Sequence, residues 1–126
     1  MISDFVLDKE LGTLELKRLN RLRAAYDKLV VEQAYPVLDI WATGGEHMAS
    51  SDGRSYITIN RKILTYSVSY YMIVSALNII HEITHYYQLV AERESDDSHT
   101  KRFFESFHNK CFSDLAEIIY QISQAR

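Results

Sequence analysis

The chain has 126 residues, of which 47% are apolar and 25% charged, with a formal net charge of −3. That length supports one domain whose core needs no staples, and nine tyrosines against one proline exclude a disordered chain. The acidic balance argues against a strongly basic nucleic-acid binder, and a single cysteine excludes a disulfide framework.

The N-terminal stretch "MISDFVLDKELG" lacks the basic start and apolar run of a secretory signal. With cysteine usage that fits a reducing compartment, a soluble cytoplasmic protein is expected. Residues 10–34 predict a helix, because Leu11, Leu14, Leu19, Leu22, Tyr26 and Leu29 recur near a 3.6-residue period. Lys17, Arg18, Arg21 and Arg23 form a basic cluster on it, read as a solvated face or a contact for an acidic partner. Pro36 lies just past the expected helix end.

Residues 37–43, "VLDIWAT", are a short β-prone run. "GGEHMASSDG" follows, rich in turn residues. In "RSYITIN", residues 54–60, Tyr56, Thr58 and Asn60 alternate with Ile57 and Ile59, the pattern of a half-buried strand. The two runs are expected to pair in a small antiparallel sheet. Residues 66–92 predict a second long helix, with Ile73, Leu77, Ile80, Thr84 and Tyr87 as its core stripe. Its most apolar part, residues 70–80, is too short to span a bilayer, and no membrane contact is expected. The polar run "ERESDDS" breaks the pattern. A last helix is expected to start near Asp97 or Ser98, either of which could cap it. Phe103, Phe107, Cys111, Leu115, Ile118 and Ile122 mark its buried side, and Cys111 reads as a small buried hydrophobe. Helix, small sheet, helix, helix makes an α+β domain spanning residues 1–126.

The second helix carries "HEITH", residues 81–85. Residues four apart on a helix are neighbours, so His81 and His85 project side by side and can take adjacent corners of a tetrahedral zinc site. Glu82 sits about 100° further around the helix. It is poorly placed to chelate the same ion but can reach a water that the ion holds, as a general base does in a metallopeptidase. With five histidines and nine glutamates, shuffling would produce the motif in about one chain in a hundred, so the spacing alone is suggestive. Its setting in a strongly helical, apolar segment adds weight, because buried polar side chains need partners.

A catalytic zinc needs a third protein ligand and an open position. Residue 91 is alanine, which excludes a histidine six residues after His85. Glu92 and Glu94 lie too close to the motif to fold back on it. His99 follows a polar break long enough to reverse the chain, would fall in the first turn of the last helix, and is the better candidate. Glu105 remains the alternative, and His47 and His108 are read as non-ligating.

The stretches "GRSYITINRKIL", "ALNIIHEITHYYQLV" and "SDDSHTKRFFESFHNKC" together resemble the SprT-like family of zincin metallopeptidases, over roughly residues 10–112. The resemblance implies a zincin-like fold, with His81, His85 and His99 as the zinc ligands, Glu82 as the general base and Phe103 as the aromatic that follows the third histidine. Thr100 stands where the family usually has glycine, and the family's C-terminal zinc ribbon is missing. The implied activity is zinc-dependent hydrolysis of peptide bonds in a protein or peptide substrate laid along an edge strand at residues 54–60. Tyr56, Tyr86, Tyr87 and Tyr120 are candidates to stabilise the oxyanion. Some relatives act on protein bound to DNA, a partner that the net charge here does not support. Three alternatives are an inactive zinc-binding interaction module, a regulatory Glu-ligand zincin that cuts one specific protein, and a cell-wall endopeptidase.

Overall fold

The structure is a computed structural model that describes residues 5–45, 49–51, 55–91 and 99–125. Its first helix, α1, spans Thr13–Glu32 and buries Leu19, Leu22, Ala25, Tyr26 and Leu29, the stripe expected from the period, while Leu14 is exposed. The Glu15 carboxylate accepts the Gly12 N–H at 2.8 Å and so satisfies one of the helix's first donors. The helix ends through Ala34, whose φ of 55° is left-handed, two residues before Pro36.

Three of the four residues in the basic cluster on α1 are tied to other elements of the fold rather than standing as a free solvated face. Arg18 donates to the carbonyls of Leu64 and Tyr66 at 3.1 and 2.6 Å. Arg23 donates to the Ile40 carbonyl at 2.9 Å and forms a fork with Asp8 at 2.7 and 3.1 Å. Arg21 donates to the carbonyls of Ile122 and Ala125 at 3.0 and 3.1 Å. Only Lys17 of the four stays exposed. The planar, multidentate guanidinium suits it to tie one element to another's carbonyls, and three arginines do so here.

The sheet departs from the expected hairpin. Its strands are β1 (Phe5–Val6), β2 (Asp39–Thr43), β3 (Ala49–Ser51) and β4 (Tyr56–Asn60), in the spatial order β1-β2-β4-β3. β2 and β4 pair in parallel, with Asp39 opposite Tyr56 and Thr43 opposite Asn60. They are not antiparallel, because the connection between them is not one turn. It contains β3, which runs antiparallel to β4 on its far side. The turn-rich composition of residues 44–53 hid that short strand. β4 is therefore the centre of a mixed sheet, not its edge. Ile57, Thr58, Ile59 and Asn60 are all buried, so both of its faces are covered, whereas the alternating pattern had suggested one wet face. The free edge beyond β4 belongs to β3.

The helix that carries the motif, α2, spans Val68–Tyr86 and continues into a π-helical turn, Tyr87–Ala91. Its buried residues are Tyr71, Ser75, Ala76, Ile79, Ile80, Glu82, Ile83, Thr84 and His85. The core stripe is thus rotated from the expected one. Ile80 and Thr84 are inside, but Ile73 is 44% exposed. A helix this apolar, sandwiched by neighbours, offers several plausible stripes, and packing selects one. Each fully buried isoleucine contributes about 1.5–3 kcal/mol to that choice.

The last helix, α3, spans Lys101–Gln124. Phe103, Ile118 and Ile122 are buried, and Phe107, Cys111 and Leu115 pack partly buried against the core. α3 packs along α2 and also against α1. The architecture is α+β, three long helices with a small mixed sheet. Among the described residues, no helix is long and apolar enough to cross a membrane.

Candidate metal centre

Two helices build the site. His81 and His85 lie one turn apart near the end of α2, and His99 stands just before the first turn of α3. The structure corrects how α3 starts. Thr100 is the N-cap, and its hydroxyl accepts the Phe103 N–H at 3.1 Å. His99 therefore precedes the cap and does not lie inside the first turn. Asp97 and Ser98, expected as caps, fall outside the described residues, as do His47, Glu92 and Glu94. Thr100→Ala is expected to destabilise the metal-free protein by about 1 kcal/mol. Urea unfolding measures this, and an unchanged midpoint would show that the cap does not anchor this end of α3.

The three imidazoles converge through equivalent atoms. The Nε2 atoms of His81, His85 and His99 lie 3.2 Å from one another on all three sides of a triangle. Hydrogen bonds cannot account for this arrangement, since a neutral imidazole has one N–H. On His85 an N–H at Nδ1 would meet the Gln88 side-chain oxygen 2.7 Å away, leaving Nε2 without a proton to donate. Burial, reinforced by the imidazoles of His85 and His99, holds the pKa of His81 down to about 4. That ring is therefore uncharged at neutral pH, with a lone pair to offer.

The triangle has the spacing of a site that could hold a metal ion. A tetrahedral ion about 2.0–2.1 Å from each nitrogen separates the nitrogens by about 3.3–3.4 Å, close to the spacing found. Among the described residues, these three histidines are the group of histidine, cysteine and acidic side chains close enough together to hold a metal ion.

Glu82 is 4% exposed, and its Oε1 lies 3.9 Å from His81 Nε2. Since His81 is uncharged, this is proximity and not an ion pair. The carboxylate stands beside the triangle without being one of its corners, as the 100° offset on the helix anticipates. His99 is exposed and the His81 side chain is 31% exposed, so the triangle is open to solvent on one side. Phe103 closes the opposite side. Its ring stacks on His85 at 4.4 Å and meets His81 and His99 edge-on at 5.0 and 4.9 Å. Phe107 adds an edge contact to His81 at 5.5 Å.

Glu105, the alternative third ligand, is not at the site. It is exposed on α3 and sits 3.9 Å from the Lys101 ammonium. His108 is also exposed and lies outside the cluster. Of the tyrosines suggested for the oxyanion, three make ring contacts with residues outside the triangle and one lies apart from it. Tyr56 packs edge-on against Phe5, Tyr86 against Tyr87, and Tyr87 faces the Lys110 ammonium at 5.3 Å. Tyr120 lies near the far end of α3 and is 56% exposed. Gln88 was missed altogether by sequence reasoning. The available signal was its spacing, three residues after His85, where helical side chains meet.

No protein-family model, no curated protein and no solved structure matches the chain.

Proposed function

We propose that this chain is a zinc-dependent metalloendopeptidase of the SprT-like, zincin type. The reading rests on one observation above all: a solvent-facing triangle of His81, His85 and His99 Nε2 atoms at 3.2 Å, with the buried Glu82 carboxylate beside it. Three ligands with an open side are the donor set of a catalytic zinc rather than a structural one. When bound, zinc supplies Lewis acidity, polarising a carbonyl and lowering the pKa of water toward about 7.

The remaining steps belong to the protein. Glu82 accepts the proton of the attacking water and passes it to the departing amine. Phe103 excludes water from the inner side of the triangle. An extended substrate is proposed to pair its backbone with the outer edge of β3, the edge strand next to β4. β4 cannot serve, being paired on both sides. A Glu-ligand mode is not favoured, given the position of Glu105.

The test is a cleavage assay on an unfolded protein with zinc, with a chelator, and with or without DNA, beside metal analysis. About one zinc per chain is expected, with cleavage abolished by the chelator and independent of DNA. A protein that takes up no zinc, or that binds it and cuts nothing, would overturn the proposal.

A further inference from the structure

Of the three histidines, His85 has its second ring nitrogen hydrogen-bonded among the described residues. The partner is the Gln88 side-chain oxygen, 2.7 Å from Nδ1. Both residues are buried, His85 at 5% and Gln88 at 3% exposure. We propose that Gln88 is a positioning residue for the metal centre: it locks His85 in the tautomer and ring orientation that leave Nε2 as a bare lone pair pointing at the ion. This inference rests on the metallopeptidase reading above, and it names a residue that the five-letter motif does not contain.

The argument is one of constraint. An imidazole on a helix can rotate about its bond to Cβ and can carry its proton on either nitrogen. Phe103, stacked on His85 with 22° between the ring planes, restricts the plane of the ring. Stacking does not distinguish one ring nitrogen from the other. The Gln88 oxygen does, because it can only accept, and it therefore selects the Nδ1–H form. An acceptor on the far nitrogen of a metal-bound histidine also raises the basicity of the ligating one.

Local backbone structure contributes. α2 ends at Tyr86, and Gln88 sits in the π-helical turn Tyr87–Ala91. Such turns are rare and concentrate at functional sites. Gln88 also lines a cavity of about 220 Å³ together with Thr84, Arg102, Phe103 and Ser106.

Two variants of the chain separate positioning from packing. Gln88→Met keeps the unbranched shape and removes the acceptor, whereas Gln88→Glu keeps the shape and supplies a stronger one. Zinc affinity is read by competition with a chromophoric chelator. The His85 tautomer is read in the metal-free protein from long-range ¹H–¹⁵N correlations. Gln88→Met is expected to weaken zinc binding about 10–100-fold and to shift His85 from the Nδ1–H form to a mixture. Gln88→Glu is expected to bind at least as tightly as wild type. Wild-type affinity in Gln88→Met, or equal weakening in both variants, would overturn the proposal. If the wild-type protein itself binds no zinc, the metallopeptidase reading fails separately. The tautomer measurement then still decides whether Gln88 orders His85: a mixed population in the wild type would count against it, and so would an unchanged Nδ1–H form in Gln88→Met.

Discussion

Glu82→Gln is expected to keep its zinc and lose about 10²–10⁴-fold in peptide-bond cleavage, the usual range for removing a general base. The substitution preserves the shape of a buried side chain that is 4% exposed. It leaves the three Nε2 atoms untouched, because Glu82 stands beside the triangle at 3.9 Å and is not one of its corners. What it removes is a group able to take and return a proton. Metal content and turnover should therefore separate: about one zinc per chain in both proteins, with cleavage only in wild type. Equal rates would remove Glu82 from the reaction. Loss of zinc in the variant would assign Glu82 to holding the ion. The experiment also addresses an inactive zinc-binding module, for which wild type and variant would be equally silent.

His99→Ala is expected to reduce zinc affinity by more than about a hundredfold, beyond the range seen when only an outer hydrogen-bond partner is lost. His99 is the one histidine of the triangle contributed from outside α2, and without it two imidazoles one helical turn apart remain. Glu105→Ala should leave affinity unchanged, since Glu105 is exposed and faces Lys101. Chelator competition measures both. The reverse pattern would make Glu105 the third ligand and His99 a bystander.

The site was more legible in the sequence than the sheet was, for a physical reason. His81, Glu82 and His85 are related by the fixed geometry of one helix, so their spacing carries their spatial relation. His99 could be reached because the polar break before it permits a reversal, although its position relative to the cap could not. Strand pairing is set by partners distant in sequence. The alternation of Tyr56 to Asn60 identified a strand correctly but said nothing of its neighbours. The short strand Ala49–Ser51, among small polar residues, looked like part of a turn. The arginines of α1 misled because an exposed-looking basic run and a set of ties to carbonyls have the same sequence. Only the placement of Leu64, Ile40 and Ile122 distinguishes them. Gln88 escaped because an isolated glutamine has no periodicity to announce it.

The insertion of β4 between β2 and β3 has a consequence for how the molecule assembles. The strand that arrives last in the chain occupies the middle of the sheet, so the sheet cannot be laid down in order of synthesis. β3 can meet β4 as a local pair, but β2 gains its larger neighbour only when that pair docks alongside it. The parallel pairing is a non-local contact, the kind that raises contact order and goes with slower folding. β2 is joined to α1 through Arg23, and the chain runs from β4 into the helix that bears His81 and His85. Pairing β4 with β2 therefore joins the two halves of the fold, and α2, which bears His81 and His85, packs against β3 and β4.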